Sequence, residues 1–377
     1  MDHDDRDHSD VVVVGAGIVG LGVADAAHRR GLSVTVLDRS PAATGATVRN
    51  FGHVCLTPQT GRAWEYARAA RERWIRLGHD AGFAVRQDGT WVVARHPDEV
   101  ALLAAAAERA PDATPVHLLD AGEFTARAAV AGAVGGAHLP ADLQVDPRRA
   151  AAALAAHLER RGVRFRWRTP ALGVEEGRVV TGRGTLTAGL VVVAVNHDLD
   201  HLLPGLAEAA GVQRCALDML RVDAGLPAPL PGPLLTGWSL VRYRAFADLP
   251  EAVAVRERLH AEHPRAAAFD VNLMATQQPD GSLLLGDTHR RGPGVDPFQS
   301  EEANEVLLAC AADLFGVPRP RVLERWQGVY ASGPEEFLVA RPAPGVVVAT
   351  VTTGIGMTTG LGLAEDVVRS AVGGDRP

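Results

Sequence analysis

Val11-Val12-Val13-Val14-Gly15-Ala16-Gly17-Ile18-Val19-Gly20 decides the fold. An apolar run enters a turn with glycines at its first, third and sixth positions, and an alanine-rich stretch follows to Arg30. Gly15 permits a tight turn, Gly17 lets the backbone approach a pyrophosphate, and Gly20 lets helix and strand pack closely. The helix from Ile18 then turns its N–H groups and positive dipole end toward phosphate. A second apolar run, Val34 to Leu37, ends at Asp38, 23 residues after Gly15, where a carboxylate is placed to accept from both hydroxyls of an adenosine ribose. Alone, the turn would equally suit a glycine bend between a core strand and a core helix. Strand, turn, helix and acid together predict a βαβ dinucleotide-binding unit.

Composition narrows the partners. The net charge of −7 supplies no basic field for a nucleic-acid backbone. All 38 basic side chains are arginine, which excludes lysine as Schiff base, general base or oxygen-activating cation. Cys55, Cys215 and Cys310 are too few and too far apart for a disulfide framework or a zinc site. No metal is expected, and a reducing cytoplasm fits. Met1 to Asp10, acidic and bearing His3 and His8, lacks the basic start and apolar stretch of a secretion signal and reads as a solvated tail. No later segment offers 18 uninterrupted apolar residues, so no membrane span is expected.

Further along, Asp146-Pro147 predicts a helix start, with Asp as cap and Pro at the first helical position, running to Gly162. Val163 to Trp167, Ala171 to Val174, Val179 to Thr181, Leu190 to Val195 and Val346 to Val351 read as further strands of the nucleotide-binding sheet. Arg62 to Leu77 and Asp98 to Ala110 look helical. Cys215 to Asp223, Ser239 to Phe246, Val271 to Gln277 and Leu283 to Asp287 look like strands of a second, antiparallel sheet. The expected division is a discontinuous nucleotide domain of residues 1–60, 141–205 and 321–377, with a second domain of residues 61–140 and 206–320.

The chain resembles the D-amino-acid oxidase superfamily of FAD enzymes, which includes glycine oxidase and sarcosine oxidase. The residues that carry the resemblance are the Gly15 turn, Asp38-Arg39, Thr44-Gly45-Ala46-Thr47 with Asn50 and Gly52, Val145-Asp146-Pro147, and Gly354-Ile355-Gly356-Met357-Thr358. The superfamily usually has glutamate where Asp38 stands. Val48 to Gly52, Leu285 to His289 and Glu324 to Tyr330 are similar to a narrower subgroup proposed to oxidise an aminophosphonate. The resemblance implies an α/β fold, a Rossmann-like FAD-binding domain with an interleaved α+β substrate domain on an antiparallel sheet. It implies FAD held by Gly15, Gly17, Ile18, Gly20, Asp38, Arg39, Gly45, Ala46, Thr47, Asn50, Gly52, Val174, Gly354, Gly356, Met357, Thr358 and Thr359. The Gly354 turn would face the pyrimidine edge of the flavin, where a helix N-terminus stabilises negative charge.

Arg49 and His53 follow the loop expected beside the flavin, with Gly52 letting the backbone approach the ring. An anionic substrate needs preformed donors. Arg242-Tyr243-Arg244, read as strand, would put the two arginines on one face, and Tyr330 would come from the strand leading back to the first domain. Asp287-Thr288-His289 reads equally as a base with its orienting carboxylate or as a turn; His53 and His289 are the candidate proton acceptors. The expected function is an FAD amine oxidoreductase. It would take a hydride from the amine-bearing carbon of a small anionic amine, an aminophosphonate or amino acid, to flavin N5, with hydrolysis of the imine and oxygen or another acceptor as the electron sink. A flavin hydroxylase using NAD(P)H and a non-catalytic FAD-binding protein are the alternatives. Without lysine, oxygen is expected to be a poor or moderate acceptor.

Overall fold

The computed structural model describes residues 7–373. Five strands form the parallel centre of an eight-stranded sheet, in the order Arg164–Arg166, Val34–Leu37, His8–Val14, Gly184–Val193 and Val346–Val351. Val11 to Val14 and all of Val346–Val351 are buried, because both faces of a parallel sheet are covered. On one face the helices Ile18–His28, Gly61–Ala81, Pro147–Arg160 and Gly356–Val372 share a core containing Leu21, Trp74, Leu154 and Leu361. Asp146 caps the third of these helices, accepting from the N–H groups of Arg148 (3.0 Å) and Arg149 (3.3 Å).

A nine-stranded sheet forms the second layer. Gln213–Asp223 lies near one edge between Arg321–Ser332, Arg290–Gly292 and Leu283–Gly286, and the sheet continues through Met274–Gln277, Leu234–Leu235 and Thr90–Ala94 to Gly135–Leu139 and His117–Asp120. Every pairing is antiparallel except that of Leu234–Leu235 with Thr90–Ala94. A small sheet of His53–Val54, Leu143–Val145 and Val85–Arg86 touches both layers, through Cys55 to Thr358 and through His53 to Thr90.

Several expectations change. Gly61–Ala81 buries Tyr66, Ala70, Trp74 and Leu77 in the first layer, and Trp74 Nε1 donates to the Met357 carbonyl at 2.9 Å, so residues from 61 onward begin in the nucleotide-binding layer. Residues 321–332 pair with Gln213–Asp223 and so belong to the second sheet. Ser239 to Phe246 is no strand: the short helices Gly237–Leu240 and Arg244–Ala247 flank a turn in which the N–H groups of Arg242 and Tyr243 both donate to the Ser239 carbonyl. Arg242 and Arg244 therefore share no face. At the N-terminus, His8 already lies in the sheet, its Nδ1 3.0 Å from Thr187 Oγ1, while His3 lies outside the described residues. Among the described residues no helix is long and apolar enough to cross a membrane, and no cluster of His, Cys, Asp and Glu would hold a metal.

Candidate active site

A cavity of about 1010 Å³ is lined by residues of both layers. At one end Gly15 takes φ +106°, and a Cβ there would crowd the Ala194 carbonyl; a Cβ on Gly20 would overlap the Gly15 carbonyl oxygen. Gly17 lines the cavity and caps Ile18–His28 without a side-chain bond. Asp38 Oδ2 accepts from the Ala16 N–H (2.8 Å) and Oδ1 from the Ser40 N–H (2.8 Å), which leaves each oxygen further acceptor capacity toward the cavity. Arg39, beside it, pairs with Asp198 at 2.6 Å. Thr47 Oγ1 accepts from the Ile18 N–H (2.9 Å), tying the Gly45-Ala46-Thr47 loop to the helix start.

The loop that follows is built differently from expectation. Asn50 lines the cavity, but its amide donates to the carbonyls of Ala46 and Thr47 (both 2.9 Å) and accepts from the Gly52 N–H (2.7 Å), so it holds the loop. Gly52 lies outside the lining; with φ +70° and a missing Cβ that would overlap the Val145 carbonyl oxygen, it serves a chain crossing and not a ring contact. Val174 also lies outside, packed in a separate core, and Thr169, Pro170, Ala171 and Leu172 line that end instead. Thr359 is outside as well, its hydroxyl spent on the Ile355 carbonyl at 2.9 Å. Gly354, Gly356, Met357 and Thr358 do line the cavity where Gly356–Val372 begins, and Ile355 caps that helix without a side-chain bond. A buried Thr353 hydroxyl with no partner joins them.

Three further arginines line the cavity. Arg49 donates to the Gln327 carbonyl (3.2 Å) and forms no ion pair among the described residues. Arg242 and Arg291 pair with the two oxygens of Asp270, at 2.5 and 2.8 Å, and Arg242 Nε is buried without a partner. Sequence reading missed Arg291; the run Arg290-Arg291 on a short strand was its one signal. Arg244 lines the cavity but pairs with Asp248 at 3.1 Å. Tyr243 and Tyr330 line the cavity too, and burial raises both phenols well above their ordinary value, so they remain neutral donors.

Asp287 and His289 are walls of this cavity and no surface turn. His289 Nδ1 lies 2.9 Å from the Asp270 carbonyl, which can only accept, so Nδ1 carries the hydrogen and Nε2 a lone pair, 3.7 Å from Asp287 Oδ2. Burial, reinforced by Arg242, lowers His289 to about 3; burial raises Asp287 to about 7, against the pull of Arg242. Asp287 Oδ1 has no partner. Thr288 turns away and donates to Asp218 Oδ2 at 2.7 Å. His53 also lines the cavity, and burial lowers it to about 3. Cys55, beside Thr358 at 3.4 Å, is a buried thiol raised to about 11.

The model of the DAO family, FAD dependent oxidoreductase, matches residues 10–370, and the chain belongs to that family. The bifunctional tRNA 5-methylaminomethyl-2-thiouridine biosynthesis protein MnmC of Maricaulis maris is 26% identical over 97% of this chain, which spans about half (52%) of that relative. Among solved structures, L-proline dehydrogenase from P. horikoshii superposes with a TM-score of 0.80 at 18% identity, covering 98% of this chain and 94% of that one. Glycine oxidase from Geobacillus kaustophilus gives 0.78 at 19%, covering 98% and 95%, and iminodiacetate oxidase from Chelativorans sp. BNC1 gives 0.75 at 20%, covering 97% and 95%. This chain shares their fold. Its residues fit FAD: the side-chain-free turn at Gly15, the Asp38 acceptors and the Gly354 turn with its unpartnered Thr353 hydroxyl match a pyrophosphate, a ribose and a polar ring edge in turn.

Proposed function

We propose that this FAD-dependent oxidoreductase oxidises a small amine that also carries an acid group, an amino acid or an aminophosphonate. The observation that carries the reading is that Arg49, Arg242 and Arg291 line one cavity together with the Gly354 turn, and only two of the three share a carboxylate, Asp270. Burying a carboxylate or phosphonate without charge-assisted donors costs several kcal/mol or more, and this wall supplies them. Neutral Tyr243 and Tyr330 add hydroxyl donors. Bound FAD supplies the acceptor for the hydride that leaves the amine-bearing carbon. An ammonium must first shed a proton, and the imidazoles of His53 and His289, held neutral by burial, carry lone pairs for it. The names glycine oxidase and iminodiacetate oxidase support an amine bearing a carboxylate.

The test is anaerobic mixing of the FAD-loaded protein with amino acids, N-methyl amino acids and aminophosphonates. Bleaching by one of these amines alone is expected. Bleaching only by NAD(P)H would make the protein a hydroxylase, and no bleaching by either would leave it a binder of FAD.

A further inference from the structure

His53 is one of three polar side chains sealed together at the cavity wall. Its Nε2 lies 2.6 Å from Thr90 Oγ1, and Asp142 Oδ2 stands 3.8 Å from the same nitrogen. Thr90 and Asp142 are wholly buried, and His53 is 6% exposed. The Thr90 hydroxyl also bears on the Asp142 carboxyl and favours its charge. Asp142 Oδ1 accepts from the Thr57 N–H at 2.7 Å, whereas Oδ2 and His53 Nδ1 are buried without partners. The backbone fixes this arrangement: His53 is on the strand paired with Leu143–Val145, Thr90 opens a strand of the second sheet, and Asp142 sits in the bend between that sheet and the small one.

We propose that Asp142 is the proton sink of the reaction, reached from the substrate ammonium through His53 and the Thr90 hydroxyl. The inference rests on the reading that the substrate is an amine. As the ammonium N–H bond breaks, the Nδ1–H bond of His53 forms. The Nε2–H bond breaks as its proton passes to Thr90 Oγ1, and the original Thr90 proton passes to the Asp142 carboxyl, on which that hydroxyl bears. The amine and Asp142 end neutral, Thr90 is unchanged, His53 has exchanged tautomers without becoming a cation, and no electrons move. Burial forbids the imidazolium and raises Asp142 to about 6, so both effects favour a relay over a charged histidine. His289 cannot do the same. Its Nδ1–H points at a carbonyl, so a proton taken at Nε2 would be stranded on a cation facing Arg242 and Arg291.

Other groups around the relay hold one charge state near neutral pH. Cys55 and Tyr243 stay protonated, Arg71 of Gly61–Ala81 donates to the Ala141 carbonyl at 2.8 Å, and Arg86 donates to Gln144. In this account Thr90 and Asp142 are positioning residues that act through His53.

The test pairs kinetics with a spectroscopic readout. In FAD-loaded protein labelled with nitrogen-15 at histidine, the His53 ring, identified by its loss in His53→Gln, should change tautomer as pH falls through about 6, and should not do so in Asp142→Asn. The anaerobic rate of reduction by the reactive amine should fall over the same pH range in the wild type. It should drop on the order of 100-fold and lose that limb in Asp142→Asn and Thr90→Val. Thr90→Ser, which keeps the hydroxyl, should restore both, and guards against a variant that merely misfolds. A His53 tautomer indifferent to pH and to Asp142→Asn overturns the relay, as does a rate limb that survives in Asp142→Asn and disappears in Asp287→Asn. If no amine reduces even the wild type, the functional reading fails and the sink with it, while a persisting tautomer change shows that the three groups are still coupled.

Discussion

The two ends of the cavity are made in opposite ways. The nucleotide end comes mainly from residues 14–47, and its decisive features are missing side chains: Gly15 and Gly17 present backbone to the cavity at a helix start, and Gly20 leaves room for the Gly15 carbonyl. The reaction end draws Arg49, Arg242, Asp270, Asp287, His289, Arg291 and Tyr330 from distant segments, and its decisive features are pairings. Shape written by absent Cβ atoms is local. Charge written by partners depends on the whole fold.

The sharpest way to break this contrast is at Gly20. In Gly20→Ala the new methyl meets the Gly15 carbonyl, a rigid backbone neighbour, whereas a Cβ at Gly356 meets nothing within 4 Å. Gly20→Ala should destabilise the protein by about 1–3 kcal/mol or more and strip it of FAD, and Gly356→Ala should be much milder. Melting temperature and retained flavin measure both. Equal effects would mean that the turn is not read through steric fit.

Asp38→Ala should come next, lowering FAD affinity by roughly 1.5–3 kcal/mol for each ribose hydrogen bond lost. Unchanged FAD retention in a folded variant would remove the ribose role. At the reaction end, Arg49→Met should raise KM for an anionic amine about 10- to 100-fold with kcat largely kept, and affect a neutral amine of equal size far less. Arg244→Met, whose arginine is already paired with Asp248, should do little. Similar losses in both variants, or on both substrates, would make Arg49 structural.

The smallest effect is on stability against pH, because two buried pairs pull in opposite directions. His53 and His289 have folded pKa values below 6.5, so their neutral forms favour folding above 6.5 and that contribution drains away as pH falls toward 3. Asp142 and Asp287 have raised values, so their contribution is full below about 3.8 and is lost as pH rises through 6 and 7. Between pH 4 and 6.5 the wild-type melting temperature should therefore change little. Relative to the wild type, Asp142→Asn should gain stability at pH 8 compared with pH 5, and His53→Gln should become more stable on acidification over the range where the wild type is flat. A wild-type curve that slopes as much as that of His53→Gln would remove the compensation.

Sequence was most legible where burial is symmetrical. Val34–Leu37 and Val346–Val351 stand as continuous apolar strands because both sheet faces are covered, and a run of that kind needs no partner to be recognised. Ser239 to Phe246 misled because Trp238, Leu240 and Phe246 are all buried around a turn, which imitates a strand's apolar content without its geometry. Gly52 was recognised as a necessary glycine, but the atom that requires it, the Val145 carbonyl oxygen, lies 93 residues away. Asp142 had no local signature, and Arg291 only the run Arg290-Arg291. Arg291 matters through Asp270 and Asp142 through Thr90 and His53, and nothing in the order of residues brings these groups together.

The central claim is that the cavity oxidises an amine held by its acid group. Its most direct measurement is the anaerobic rate at which a matched pair of substrates, an amino acid and the amide of the same amino acid, reduces the FAD-loaded wild type. Reduction by the acid should be at least about 10-fold faster at low concentration, with the preference collapsing in Arg49→Met. Equal rates for acid and amide in the wild type would contradict it, as would reduction by NAD(P)H and by neither amine.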